Sequence, residues 1–240
     1  MAQVARRGGA IRREARGRKA VTWIKICGTT NGRDADIAIR AGANALGFVM
    51  AQSPRQVTDT DAYSIGTIVP KGIETVGVFV NEHIETVVKT ARFCKFSAVQ
   101  LHGEEDAGYV AEIRKDLPGI KIVKVIHADG FTKLRNHKPD FWLIDSARGS
   151  QRGGTGKTFA WREAQPMIKQ LREPVIVAGG LNAENVRAAL DILQPWGVDV
   201  LTGVESYPGR KHPGLVTQFI DAVRQFDAAT AKVLQKERRR

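Results

Sequence analysis

The stretch Ile24-Lys25-Ile26-Cys27-Gly28-Thr29-Thr30 is a short apolar run that ends abruptly in a cysteine and a glycine turn. A helical start, Asp34-Ala35-Asp36, follows within a few residues. Open and closed α/β folds place their chemistry at the carboxyl ends of strands, which is where Cys27 lies in this pattern. Free cysteine is also among the most buried residue types, so Cys27 by itself fits a core position as well as a catalytic one.

The same pattern continues along the chain: short strand-like runs alternate with amphipathic helical segments. Many of the runs are nearly continuous apolar segments, as strands buried on both faces of a parallel sheet should be. The helices show one apolar stripe each, as in Val186, Ala189, Leu190 and Leu193. The predicted strands are Trp23–Ile26, Ala45–Val49, Val76–Val80, Ala98–Leu101, Ile120–Ile126, Phe141–Ile144, Val175–Ala178 and Val198–Leu201.

Eight strands that alternate with helices predict a single-domain (β/α)₈ TIM barrel of the α/β class. A doubly wound open sheet is the alternative. Such a sheet would usually carry a glycine fingerprint after its first strand, and Cys27-Gly28-Thr29 is not one. We therefore expect a barrel over residues 20–228, between a basic N-terminal tail (1–19) and a basic C-terminal tail (229–240).

The net charge of +12 is concentrated in these tails. Residues 1–19 carry seven Arg and Lys against one Glu, and residues 232–240 carry five against one, so the two ends hold +10 of the total. Blocks of like charge are usually solvated and disordered. Because no aromatic residues interleave the basic ones for base stacking, we do not expect the tails to bind nucleic acid.

The remaining composition is that of an ordinary globular protein, with 42% hydrophobic and 26% charged residues. Cys27 and Cys94 lie too far apart for a metal-ligand spacing and predict neither a disulfide framework nor a zinc site. No apolar run approaches the length of a membrane helix, and the N-terminus lacks the apolar core of a secretory signal. We expect a cytoplasmic protein, monomeric or homodimeric, without a membrane partner.

Glycines follow the last two predicted strands, at Gly179-Gly180 and at Thr202-Gly203. Glycine lets the backbone approach an anion closely, and a helix N-terminus offers unpaired N–H groups with partial positive charge. Barrels often bind phosphate with these two loops, although two tight turns would also need glycine. We expect a phosphate site here.

Three polar residues end other strands and are ambiguous from the sequence alone. Asp145 follows an apolar strand, which suits a general acid but also an aspartate that caps a turn. Arg55 follows the second strand and could bind a carboxylate bidentately or lie in solvent. His102 either lines a pocket or simply ends the fourth strand.

Alternation along the first strand predicts a buried ion pair. If Cys27 points into the barrel mouth, Lys25 points inward as well, two residues lower. A buried ammonium needs a partner, and barrel closure sets the eighth strand beside the first. Asp199 on that strand is the natural candidate.

A glycine-rich segment follows the sixth predicted strand, at Arg148–Thr158. It predicts either a mobile lid over the substrate or a plain flexible loop.

Together these segments resemble the phosphoribosylanthranilate isomerase family, in order, from about Ile24 to about Phe226. The matching motifs are Lys25–Thr30, Gly42–Val49, Ser53–Arg55, Val76–Asn81, Val99–Glu104, Gly153–Phe159, Ala178–Leu181, Glu184–Val186 and Gly203–Glu205. Several ordered motifs are far more specific than any one of them.

The resemblance implies an isomerase of tryptophan biosynthesis that performs an Amadori rearrangement with no metal or organic cofactor. It assigns Cys27 as general base and Asp145 as general acid, with Arg55 on the anthranilate carboxylate of a phosphosugar substrate. The phosphate would be bound by Gly179-Gly180 and Thr202-Gly203. The other residues expected at the substrate are His102, Gly156 and Asp199.

The chain departs from the family pattern at Ala160, Leu201 and His212, which concern helix starts and phosphate-loop detail. One rival interpretation is another phosphosugar enzyme on the same barrel, with metal-binding His and Asp or a catalytic lysine at the strand ends, and neither pattern is seen. The other is a non-catalytic protein recruited to nucleic acid by its tails. Deletion of the tails would separate these, since isomerase activity should survive it.

Overall fold

The eight strands of the central sheet run parallel and close into a barrel in chain order, with β8 paired to β1. This computed structural model describes residues 21–127, 136–145 and 161–237. The strands are β1 (Trp23–Ile26), β2 (Ala45–Val49), β3 (Glu74–Phe79), β4 (Ala98–Leu101), β5 (Lys121–His127), β6 (Phe141–Asp145), β7 (Val175–Val177) and β8 (Gly197–Val200). The predicted (β/α)₈ barrel is confirmed, and the open sheet is excluded by the β1–β8 pairing.

Helices cover the outside of the barrel and follow the predicted apolar stripes. In the described residues they are α1 (Gly32–Ala41), α2 (Asp59–Thr67), α3 (Ile84–Phe93), α4 (Ala107–Asp116), α5 (Trp161–Ile168), α6 (Val186–Leu193) and α7 (Pro213–Glu237). After β8 comes a 3₁₀ turn, Thr202–Val204, and then a short antiparallel hairpin of β9 (Glu205–Tyr207) and β10 (Arg210–Lys211).

The apolar core has two layers, as a closed sheet requires. The larger one lies between the barrel and the helices, where the stripe of α6 is completely buried. The other fills the barrel, with Trp23 against Trp196 at a ring-centroid distance of 5.2 Å. The inward-facing side chains of this inner layer are Ala45, Val76, Ala98, Val123, Val125, Phe141, Leu143, Ile176 and Ala178.

The first strand and the turn after it carry Trp23, Lys25 and Cys27 into the barrel at successive heights, because side chains alternate along a strand. Trp23 packs with the inner layer, and Lys25 stands in register with Asp199 of β8. Asn31 then caps α1 by accepting a hydrogen bond from the backbone N–H of Asp34 at 2.9 Å. The turn Cys27–Thr30 is thereby fixed between a strand and a helix.

The structure adjusts several predicted boundaries, and the expected N-terminal tail (1–19) lies outside the described residues. The predicted strands agree with the observed ones to within two residues at either end. The boundary expected at residue 228 falls inside α7, so the basic segment that follows it is helical as far as Glu237. The expected lid, Arg148–Thr158, and Gly156 within it lie outside the described residues. Of the helices in the described ranges, none is both long and apolar enough to cross a membrane.

Candidate active site

A cavity of about 490 Å³ opens at the carboxyl ends of the strands. Eight of the ten site residues expected from the sequence line it: Cys27, Arg55, His102, Asp145, Gly179, Gly180, Asp199 and Thr202. Gly203 follows Thr202 directly but is not part of the cavity wall, and Gly156 lies outside the described residues. The residues predicted at the carboxyl ends of different strands therefore line one cavity.

Cys27 lines this cavity, is only 5% exposed and lies beside the predicted ion pair. The Nζ atom of Lys25 donates hydrogen bonds to both carboxylate oxygens of Asp199, at 2.9 Å each, so that prediction is confirmed. Gly47 on β2 leaves the space for this arrangement. A Cβ atom at Gly47 would lie 2.8 Å from the sulfur of Cys27 and 2.8 Å from Cε of Lys25.

The electrostatic surroundings act on Cys27 in opposite directions. Burial raises the pKa of the Cys27 thiol, and the negative charge of Asp199 adds to that increase. Lys25 and Lys211 lower the pKa of Cys27, because both ammonium groups stabilise the thiolate. Burial outweighs them, so the pKa of Cys27 lies above its ordinary value.

Asp145 ends β6 and is 5% exposed within the cavity wall. Its Oδ2 atom lies 3.5 Å from Nε2 of His102. The other ring nitrogen of His102, Nδ1, is 3.0 Å from the side-chain nitrogen of Gln100. When this amide nitrogen donates to Nδ1, the neutral imidazole carries its proton on Nε2, toward Asp145.

Arg55 reaches the cavity from the loop after β2 and is held by Glu205 of the β9–β10 hairpin. Its Nε atom donates to both oxygens of Glu205 at 3.0 Å, and Nη2 donates to Oε2 at 2.7 Å. Lys211 binds the same carboxylate, with Nζ 3.1 Å from Oε1. Burial alone would raise the pKa of Glu205, but Arg55 and Lys211 together lower it.

The two expected phosphate loops lie side by side. Gly179 and Gly180 both have positive φ angles, 82° and 65°, which glycine adopts without strain. Gly203 packs so closely on the first loop that a Cβ atom there would come within 2.0 Å of the carbonyl oxygen of Leu181. Glycine is therefore required for the contact between the two loops.

Two of the departures from the family pattern have a structural explanation. Leu201 lines the cavity, where Cδ1 occupies the space that a side chain at Gly28 would need. The ring Nδ1 of His212 accepts a hydrogen bond from the backbone N–H of Leu215 at 3.2 Å, which satisfies one free donor in the first turn of α7. Ala160 lies outside the described residues.

Three residues in or beside the site carried no role in the sequence interpretation: Gln100, Glu205 and Lys211. Gln100 is 1% exposed and lines the cavity, and among the described residues its Oε1 has no hydrogen-bond partner. A buried amide between the apolar residues of a strand was a usable signal for it. No such signal pointed to Lys211, because this residue follows Arg210 in a polar segment that is typical of a solvent-exposed turn.

The described ranges 21–127, 136–145 and 161–237 hold no cluster of three or more His, Cys, Asp or Glu side chains suited to a metal ion.

A sequence model of the N-(5′-phosphoribosyl)anthranilate (PRA) isomerase family matches residues 24–222. The N-(5′-phosphoribosyl)anthranilate isomerase of Pelobacter propionicus is 40% identical over 198 residues, which cover 82% of this chain and 93% of that protein. The enzyme of the same name from Bacillus cereus is 40% identical over 197 residues, covering 82% and 96%.

Solved structures of this family share the fold. Phosphoribosyl anthranilate isomerase from Thermotoga maritima superposes with a TM-score of 0.78 at 35% identity, over 85% of this chain and 99% of that one. A phosphoribosyl anthranilate isomerase in complex with reduced 1-(o-carboxyphenylamino)-1-deoxyribulose 5-phosphate gives 0.75 at 33% identity, with the same coverage. The chain belongs to the N-(5′-phosphoribosyl)anthranilate isomerase family.

Proposed function

We propose that this protein converts N-(5-phosphoribosyl)anthranilate to 1-(2-carboxyphenylamino)-1-deoxyribulose 5-phosphate in tryptophan biosynthesis. The observation that carries the proposal is the pairing of a buried thiol, Cys27, with a buried carboxylate, Asp145, in the wall of one cavity. Such a pair supplies the base and the acid that an aldose–ketose rearrangement needs. The family relationship supports the same reaction.

Asp145 acts first, as the general acid. It transfers its proton to the ring oxygen of the ribose, the C1′–O bond breaks, and the anilino nitrogen forms a Schiff base with C1′. His102, next to Asp145, orients the carboxyl group toward the ring oxygen.

Cys27 then acts as the general base. Its thiolate removes the proton from C2′, the electron pair moves to the Schiff base, and the resulting enolamine tautomerises to the ketone. The reaction needs the thiolate, not the thiol. Lys25 favours that form, and Asp199 keeps Lys25 fixed against the thiol.

The polar ends of the substrate fit the two sides of the cavity. The guanidinium of Arg55 binds the anthranilate carboxylate, for which a planar, charged donor is well suited. The backbone around Gly179-Gly180 and Thr202-Gly203 binds the phosphate dianion. Asp199 and Gln100 are available to the ribose hydroxyls, and Gly156 is a further substrate contact expected from the family motif.

We also propose that the enzyme acts in the cytoplasm. Both cysteines, Cys27 and Cys94, are free thiols. A reducing compartment keeps Cys27 unoxidised, as its role as a base demands.

The direct test generates the substrate in situ and follows the loss of its anthranilate fluorescence. Wild-type protein accelerates the loss, whereas Asp145→Asn and Cys27→Ser lower kcat by about 10²- to 10⁴-fold, the usual contribution of a general acid or base. The matched control is Asp106→Asn, an exposed residue that caps α4, where asparagine caps equally well.

Two results would contradict the proposal: no acceleration by the wild-type protein, or undiminished activity of Asp145→Asn. Complementation of a tryptophan auxotroph that lacks this step provides an independent readout.

A further inference from the structure

Two hydrogen bonds fix the β9–β10 hairpin to the segment that follows Cys27. The hydroxyl of Thr30 donates to the carbonyl oxygen of Gly209 at 2.7 Å. The backbone N–H of Lys211 donates to Oδ2 of Asp34 at 2.9 Å. The hairpin is thus held in place next to the turn that carries Cys27.

Lys211 directs its side chain from this hairpin into the protein, where the side chain is fully buried. A Cβ atom at Gly28, the residue after Cys27, would lie 3.6 Å from Nζ of Lys211 and 3.1 Å from Cδ of Arg55. Two cationic side chains therefore converge on the turn that carries the thiol.

The charged groups near Cys27 include three cations, Lys25, Arg55 and Lys211, and three carboxylates. Lys25 and Asp199 form one neutral pair. Glu205 receives three hydrogen bonds from the guanidinium of Arg55 and one from the ammonium of Lys211, so it shares its negative charge between two cations. The third carboxylate, Asp34, is 1% exposed and accepts a hydrogen bond from the backbone N–H of Lys211.

Cys27, when deprotonated, is a further negative group that the ammonium of Lys211 can stabilise. Burial brings the pKa of Lys211 below its ordinary value, and Glu205 and the thiolate of Cys27 act against this effect. In the opposite direction, Lys211 lowers the pKa of Cys27. The charged groups that act on Cys27 are thus Lys25 from β1, Asp199 from β8 and Lys211 from β10.

We propose that Lys211 is a positioning residue of the active site, whose ammonium, fixed by Glu205, stabilises the thiolate of Cys27. The inference rests on the proposed function in so far as Cys27 is the base. According to this inference, the carboxylate of Glu205 in the β9–β10 hairpin has two roles. It orients Arg55 for the substrate, and it holds the ammonium of Lys211, which favours the thiolate of Cys27.

The test measures the reaction of Cys27 with iodoacetamide as a function of pH, by mass spectrometry, in a Cys94→Ser background. Serine keeps a donor for the contact of Cys94 with the carbonyl oxygen of Asp59, and burial raises the pKa of the Cys94 thiol to about 11 in any case. Only the thiolate reacts, so the rate follows the deprotonation of Cys27.

In Lys211→Met the rise of the alkylation rate moves to higher pH by about one unit, as expected for loss of one nearby opposite charge. The kcat at neutral pH falls about tenfold in consequence, while KM changes little because Glu205 still holds Arg55. Lys211→Arg keeps the charge and restores the wild-type profile. The matched control is Lys121→Met, whose partner Glu74 lies outside the cavity wall, and this variant keeps the wild-type profile.

An unchanged alkylation profile in folded Lys211→Met would overturn the inference. Should that variant not fold, Lys211→Gln makes the same comparison, because glutamine removes the charge but retains a hydrogen-bond donor toward Glu205. The alkylation profile is independent of turnover. If the wild-type protein lacked isomerase activity, the proposed function would fail while the profile still decided the role of Lys211.

Discussion

The Nζ atom of Lys25 lies 2.9 Å from both carboxylate oxygens of Asp199, and the pair spans the seam at which β8 closes the barrel onto β1. Both side chains are almost completely buried, 1% and 8% exposed. The thiol of Cys27 adjoins the pair, since a Cβ atom at Gly47 would lie 2.8 Å from both its sulfur and Cε of Lys25. One ion pair thus connects closure of the fold with the electrostatics of the site.

Lys25→Met is expected to destabilise the protein by about 3 to 5 kcal/mol, because it leaves Asp199 as a buried charge without its partner. It is also expected to raise the pKa of Cys27 further, since Lys25 lowers that pKa in the wild type. The free energy of unfolding is measured by urea titration of the tryptophan fluorescence, and kcat by the fluorescence assay.

The double variant Lys25→Met/Asp199→Asn serves as the control, since it removes both charges at once. It is expected to be more stable than Lys25→Met alone, because no uncompensated charge remains in the barrel. A folded, fully active Lys25→Met protein would show that the Lys25–Asp199 pair does not contribute to activity.

Gly47→Ala tests the space shared by the thiol and the ammonium. The added Cβ would lie 2.8 Å from the sulfur of Cys27 and 3.0 Å from Nζ of Lys25, so both groups have to move. We expect a loss of about 1 to 3 kcal/mol in stability from overpacking. A displacement of the base by about 1 Å lowers kcat by about 100-fold.

The matched control for Gly47→Ala is Gly66→Ala in α2, where the nearest atom to a Cβ is the carbonyl oxygen of Cys94 at 3.8 Å. Alanine fits there and favours the helix, so activity stays at the wild-type level and stability does not fall. Equal kcat values for Gly47→Ala and the wild type would refute the close packing of thiol and ammonium.

The barrel and its inner ion pair were predictable because both follow from periodicity. Alternation along β1 places Cys27 and Lys25 on one face, and closure of the sheet brings β8 beside it, which identifies Asp199. The apolar stripe that begins at Val186 and ends at Leu193 likewise predicted a helix in the place where α6 is found. In each case a local repeat determines which way a side chain points.

The hairpin could not be predicted in this way. Glu205 and Lys211 lie in a short polar segment without a repeat, and their importance comes from contacts over long sequence distances, such as that of Glu205 with Arg55. The direction in which the pKa of Cys27 is shifted could not be predicted from the sequence either. The sequence indicated cationic neighbours, but burial, which outweighs them, is a property of the folded chain.

Acid sensitivity is expected from Glu205. Arg55 and Lys211 hold the pKa of Glu205 below its ordinary value of 4.5, despite burial. A carboxylate with a lowered pKa in the folded state stabilises the protein above its unfolded pKa, and this contribution is lost as the pH falls through the folded pKa. The free energy of unfolding should therefore fall on acidification below about pH 4.5.

Glu205→Gln should remove this part of the acid dependence, as seen by urea unfolding at a series of acidic pH values. The comparison variant is Glu112→Gln on α4, an exposed position, in which the acid dependence stays as in the wild type. Identical acid profiles for Glu205→Gln and the wild type would contradict the stabilisation of the Glu205 carboxylate by its two cations.

Arg55→Lys separates the charge of the guanidinium from its shape. Lysine keeps one positive charge but cannot bind Glu205 through two donors and still present a further planar donor to the anthranilate carboxylate. A lost hydrogen bond to a charged group is worth about 1.5 to 3 kcal/mol, so KM rises by about 10- to 100-fold while kcat falls much less. Arg114→Lys, at an exposed pair with Asp140, leaves both constants unchanged. A fall in kcat with KM unaltered would instead place Arg55 at the reacting atoms and not at the carboxylate of the substrate.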